Sequence, residues 1–159
     1  RLIADVNGGW TFEQPRGWAP RMRDLGLLLL EQPLPRGGDD ALEAYEAPLP
    51  LFADESCLGL DELERAVTRY DGLVIKLDKT GGLTSALELA RRAEARDLRR
   101  MVGCMVATSL AMAPAHVLAQ GCEFVDIDGP LLLARDRPNG LRYDGATVTC
   151  PPSVLWGVG

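Results

Sequence analysis

Histidine is nearly missing from this chain: His116 is the only one among 159 residues. It sits in an apolar helical run, which argues against a histidine-based triad and against a histidine-rich zinc site. Lysine is almost as scarce, with Lys76 and Lys79 alone. Cys57, Cys104, Cys122 and Cys150 make no Cys-x-x-Cys pair, so a zinc knuckle or redox motif has no support. With no secretory leader in view, the same cysteines point to a reducing cytoplasm. No apolar run approaches the ~20 residues of a membrane-spanning helix. Positive charge is also short, at a net −6, and the arginines from Arg91 to Arg100 are interleaved with Glu94 and Asp97. That is a solvated helix face, without the excess of positive charge that a nucleic-acid partner requires.

Acids placed at the ends of apolar runs are what the chain does have. IADVN carries Asp5 and Asn7, LLLLEQP carries Glu31, and LFADES carries Asp54, at intervals of 26 and 23 residues. Those intervals suit a strand, a helix and two loops. The rhythm continues with Lys76 in GLVIKLDKTGG, Cys104 in MVGCM, and Asp126 with Asp128 in FVDIDGP, at steps of 22, 28 and 22 residues. Helices are expected between them at Pro20 to Leu25, Ala41 to Ala47, Leu60 to Tyr70, Leu83 to Arg96 and Leu110 to Ala119. In the fourth, Leu83, Ala86, Leu87 and Ala90 share one face. Leu27 to Leu30 show no polar alternation, as in a parallel strand covered on both sides.

Six strand–helix units make the class α/β, either a (β/α)-barrel of the TIM type or a doubly wound open sheet. The functional side chains favour the barrel, because closure aims all the strand ends at one axial site. A whole barrel takes about 250 residues. The expectation is therefore an incomplete C-terminal portion, residues 1–134, of a longer polypeptide, since the chain opens on Arg1 directly into a strand. A tail, 135–159, would add short strands at Gly140 to Tyr143 and Ala146 to Thr149.

Converging carboxylates need a cation. Asp5, Glu31 and Asp54 are hard oxygen donors suited to Mg²⁺, or Mn²⁺ in its place. Asp126 and Asp128, two apart on a strand, would face one side and form an anionic notch for an ammonium group. Asn7, Glu55 and Lys79 are candidates for supporting positions around these groups, and Cys104 lines the expected mouth.

Taken in order, DVN, EQPLP, ADES, IKLDKTGGLT, GCM and DIDGP resemble the enolase superfamily, its muconate-lactonizing subgroup, and within that the dipeptide epimerases. The resemblance covers Leu2 to about Pro130. It implies Asp5, Glu31 and Asp54 as Mg²⁺ ligands, and Lys76 as one of two acid/bases that exchange the proton α to a carboxylate through an enediolate. A lysine serves as such a base when neighbouring cations or burial bring its pKa toward ~7–8. It also implies Asp126 and Asp128 as the site of a dipeptide's ammonium, and Cys104 as a pocket residue. The substrate implied is an alanyl-glutamate dipeptide. A capping domain, two early strands and a Lys-x-Lys carrying the second base belong to such proteins and do not occur in these residues. On this resemblance the tail packs on that capping domain, and the stretch by itself is inactive. A homo-oligomer is left open. Competing readings are an N-acylamino acid racemase, an o-succinylbenzoate synthase, or a noncatalytic metal- or peptide-binding barrel fragment.

Overall fold

Apolar runs with no polar alternation become the strands of one parallel sheet in the computed structural model, which describes residues 2–156. They are β1 Leu2–Asp5, β2 Leu27–Glu31, β3 Leu51–Ala53, β4 Gly72–Ile75, β5 Arg99–Val102 and β6 Phe124–Val125. Each lies beside its neighbour in sequence, in the order β1-β2-β3-β4-β5-β6. A doubly wound sheet reverses its strand order at a switch point; this one never does. The six strands are a half-barrel, part of a TIM-type barrel.

Alternation along the strands separates two layers. Leu29, Phe52, Val74 and Met101, flanked by Ile3 and Phe124, pack on the inner face. Their outward neighbours, including Leu30, Leu51, Leu73, Ile75 and Val102, pack beneath the helices. Gly72 lies in register with Phe52, and a Cβ at 72 would stand 2.5 Å from the Phe52 ring. Glycine there makes room for Phe52, which meets Phe124 edge-on at 5.7 Å. Arg99 sits 5.1 Å from the Phe124 ring centroid and pairs with Glu123 at 2.9 Å, closing the end of the interior away from the acids.

The connecting helices depart from expectation in instructive ways. α1 runs Glu13–Asp24 with Pro20 inside it, whereas proline was read as a helix start. The helix gives up one backbone bond there and is held by burial of Pro15 and Ala19. The expected helix at 41–47 is only a 3₁₀ turn, Asp40–Ala44. That at 60–70 splits into a turn, Leu60–Glu62, and a short α2, Leu63–Val67. An unforeseen α3, Leu77–Thr80, ends at Gly81 with φ 83°, the left-handed conformation glycine supplies freely. α4, Leu83–Glu94, buries Ala86, Leu89 and Ala93, and Leu87 of the expected stripe is 44% exposed. α5 is Ser109–Ala119.

The tail strands shorten to β7 Tyr143–Asp144 and β8 Thr147–Val148, antiparallel about Gly145 at φ 55°. Residues 157–159 of the tail and Arg1 lie outside the described residues. The tail returns to its own barrel: Tyr143 donates to the Ile127 carbonyl at 2.7 Å, and the Leu141 amide donates to Ser109 Oγ at 2.8 Å. Leu141 and Leu155 are buried.

Candidate active site

The inner-face alternation that carries Leu29, Phe52 and Val74 arrives, two residues further, at the polar groups. Asp5 and Glu31 are the last residues of β1 and β2, while Asp54, Lys76, Gly103 and Asp126 directly follow β3, β4, β5 and β6. All but Asp54 line a cleft of about 300 Å³, and Asp54 joins them through its contact with Lys76. Ile3, Val74 and Met101 form its apolar floor, and Asp5, Glu31, Lys76, Cys104 and Asp126 its wall.

Lys76 is the centre of the charge array. Its Nζ donates to Asp54 Oδ2 at 2.7 Å and stands 4.0 Å from Glu31 Oε1. Gly103 is why the stem fits, for a Cβ at 103 would come within 2.7 Å of Val74 Cγ1 and 2.9 Å of Lys76 Cε. Burial alone would lower the Lys76 ammonium, but the Asp54 hydrogen bond and the charges of Asp54, Glu31 and Asp5 reverse this and raise it above the ordinary lysine value. The downward shift that burial would give is outweighed by the three carboxylates around the ammonium.

Glu31 shows the same imbalance from the opposite side. Burial, then the charges of Asp5 and Asp54, raise its carboxyl to about 8 despite Lys76 and Lys79. Asp5 accepts from the Asn7 amide at 2.8 Å and from Asn7 Nδ2 at 2.9 Å; the left-handed Asn7, φ 50°, folds back onto it. Lys79 does not stand free beside Lys76. It pairs with Asp54 Oδ1 and donates to the Asp54 and Val74 carbonyls at 2.8 and 2.9 Å, and burial lowers its ammonium.

Whether these residues suit a divalent cation is a question of donors and charge. The donors are oxygens from adjacent strand ends, and Glu31, raised first by burial and then by the charges of Asp5 and Asp54, is a carboxyl whose ionised form a cation would favour. As the side chains stand, no three acidic, histidine or cysteine groups among the described residues close into a metal cage, because Asp54 is turned onto the two lysines. The donor chemistry fits, and Asp54 would have to divide its oxygens between lysine and metal.

Asp126 and Asp128 come together, though not as two residues of one strand. β6 ends at Val125, and Asp128 precedes a 3₁₀ turn, Gly129–Leu132. Burial and the neighbouring Asp128 raise the Asp126 carboxyl. Cys104 is half-buried, and burial raises its thiol, so it presents a neutral group to the cleft. Glu55 lines a separate groove with Asn7, Gln32 and Arg36, and its buried Oε2 has no hydrogen-bond partner among the described residues.

Two contributors are not among the residues expected from the sequence: Gly103, present there only within GCM, and Gln32, although EQP places an amide between a four-leucine run and Pro33, where a buried polar group must find partners.

An enolase C-terminal domain-like family model matches residues 1–152. The chain belongs to this family, whose members of this kind present their chemistry at the strand ends of a barrel. It is 43% identical over 157 residues to an N-acetyl-D-glutamate racemase of Pseudoalteromonas sp, covering 99% of this chain and 50% of the relative. It is 45% identical over 142 residues to the L-Ala-D/L-Glu epimerase of Escherichia coli (strain K12), covering 89% and 44%. A solved structure of an enolase family member from Agrobacterium tumefaciens, with homology to dipeptide epimerases and bound sodium and L-Ala-L-Glu, superposes with TM-score 0.96 at 47% identity. That match covers 99% of this chain and 48% of the other. The chain thus spans about half the length of the relatives it matches.

Proposed function

We propose that the full-length protein containing this chain is a Mg²⁺-dependent epimerase that exchanges the α-proton of an N-acylated glutamate, with an alanyl-glutamate dipeptide as substrate. The observation that carries this is Lys76, an ammonium held between Asp54 and Glu31 in the wall of a cleft that Asp5 and Asp126 also line. Asp5, Glu31 and Asp54 would hold the ion. When bound, Mg²⁺ supplies positive charge to the substrate carboxylate as an enediolate develops.

Lys76 then moves the α-proton on one face of the planar carbon. Its carboxylate neighbours favour the ammonium, which gives a proton to the planar intermediate, and the neutral amine left behind accepts the α-proton in the reverse direction. Its ion pair with Asp54 fixes Nζ, while Gly103 leaves the stem its path. Lys79, tied to two carbonyls and to Asp54, braces that carboxylate and takes no proton. The acid/base of the opposite face is assigned outside residues 1–159, as the resemblance implies, so the isolated stretch would not epimerise. Asp126 and Asp128 would receive the dipeptide ammonium. Four free thiols support a cytoplasmic setting, and among the described residues no helix is long and apolar enough to cross a membrane.

A second reading has its own support in the Pseudoalteromonas relative, which is named for N-acetyl-D-glutamate. Both substrates are N-acylglutamates, and they differ in whether an ammonium is present. The test is proton NMR of the full-length protein in D₂O with Mg²⁺ and either L-Ala-L-Glu or N-acetylglutamate. Loss of the glutamate α-proton signal, absent in Lys76→Ala and after chelation of the metal, is the expected outcome. Asp126→Asn with Asp128→Asn should slow exchange of the dipeptide more than that of N-acetylglutamate. Equal effects on both would favour the racemase, and no exchange with intact cation binding would favour a noncatalytic barrel.

A further inference from the structure

We propose that Gln32 is a positioning residue that locks together the three strand ends bearing Asp5, Glu31 and Asp54, and so sets the affinity of that carboxylate site for a divalent cation. The inference rests on the carboxylate site of the function proposed above and assigns a role to a residue outside the cleft. Gln32 follows Glu31 directly, so strand alternation turns its side chain away from the cleft while Glu31 faces in. It has no exposed surface and a left-handed φ of 35°, a conformation that non-glycine residues seldom adopt unless their surroundings hold them there.

Every polar atom of Gln32 is used, and the partners belong to the ligand loops. Side-chain Oε1 accepts from the amides of Asp54 and Ser56 at 2.9 and 3.0 Å. Nε2 donates to the Leu34 carbonyl at 2.7 Å and to Ser56 Oγ at 2.8 Å. The amide has only one orientation that works, because the two backbone N–H groups can only donate and the Leu34 carbonyl can only accept. Along the main chain, the Gln32 N–H donates to the Phe52 carbonyl at 2.8 Å, and its carbonyl accepts from Gly8 at 2.7 Å.

One residue therefore contacts the β1 loop that carries Asp5 and Asn7, adjoins Glu31, and holds the amide of Asp54. From behind, Tyr70 lies 3.3 Å from Nε2 and donates to Asp39 Oδ2 at 2.7 Å, and Arg69 pairs with Asp39 at 2.9 Å. No atom of this array reaches the cleft, so its effect must pass through the placement of the carboxylates.

The test uses the full-length protein and Mn²⁺ as the probe. Gln32→Met keeps length and volume but removes both side-chain hydrogen-bonding groups. Calorimetric titration with Mn²⁺ is compared with the metal-free melting temperature and with kcat and KM for α-proton exchange. The expected result is Mn²⁺ binding weakened about 10–100-fold, with lost exchange partly recovered at high Mn²⁺. Ser56→Ala, which removes one of the Nε2 acceptors together with the hydroxyl's contacts to Tyr70 and Asp39 but leaves Oε1 its two amides, should show a smaller weakening in the same direction. A lowered melting temperature with an unchanged Mn²⁺ dissociation constant in the folded protein would overturn the proposal, leaving Gln32 merely structural. If Gln32→Met fails to fold, Ser56→Ala decides: weaker Mn²⁺ binding supports the role, and unchanged binding overturns it. A wild-type protein that binds no Mn²⁺ overturns this inference together with the metal-dependent reading. Weakened binding in the variants of a protein that never exchanges the α-proton supports the inference and refutes the epimerase.

Discussion

Replacing Gly103 with alanine inserts one methyl group between Val74 and Lys76, and the consequence can be worked from two distances. The new carbon would lie 2.7 Å from Val74 Cγ1 and 2.9 Å from Lys76 Cε. Relaxed carbon contacts are ~3.5–4.0 Å, so a neighbour must yield by roughly 0.6–1.3 Å. Val74 is 1% exposed and packed in the barrel interior, whereas the Lys76 stem ends at the open cleft and is the softer of the two. The methyl should displace the lysine and lengthen its 2.7 Å contact with Asp54. Overpacking of this kind costs ~1–3 kcal/mol of stability. A misplacement of about 1 Å at a reacting group costs on the order of 100-fold in rate. The assay is α-proton exchange in D₂O by the full-length Gly103→Ala protein, beside a thermal melt. The expected outcome is a folded protein with exchange reduced about 100-fold, mainly in kcat. Exchange within about threefold of wild type, far from the ~100-fold set by misplacement, would refute the claim that Gly103 positions Lys76.

Gly72→Ala should act on stability instead. Its Cβ would meet the Phe52 ring at 2.5 Å, at the inner face but away from the acids, so a loss of ~1–3 kcal/mol is expected in urea unfolding, with exchange kinetics at 25 °C largely kept; a rise in stability would contradict the packing. Asp39 makes a pH-dependent contribution. Burial would raise its carboxyl, but hydrogen bonds from Ser56 and Tyr70 and the charge of Arg69 hold it below the ordinary aspartate value. A depressed carboxyl stabilises fully above the unfolded value near ~3.9, and that contribution disappears as pH falls through the folded value. Asp39→Asn should therefore cost about 1–3 kcal/mol at pH 7, and urea melts should show the gap to wild type closing below about pH 4. A gap independent of pH would sink the assignment.

The order of elements is a local property, and the sequence carries it well. Apolar runs without alternation mark buried parallel strands, and Asp5, Glu31, Asp54, Lys76 and Asp126 are visible because each ends such a run. One-dimensional spacing could also suggest a common site, since parallel strands must all point the same way.

What a charged group does to its neighbours is a property of distance, and only the folded chain sets that. The raised Glu31, the raised Lys76 and the captive Lys79 follow from three carboxylates and two ammonium groups meeting within a few ångströms. The segments 41–47 and 60–70 form only a 3₁₀ turn and a turn with a five-residue helix, since helical pattern is a weak guide that tertiary context overrides. Gln32 and Gly103 were silent in sequence for the same reason. An amide becomes a brace, and a glycine becomes a slot, only when residues more than twenty positions away arrive beside them.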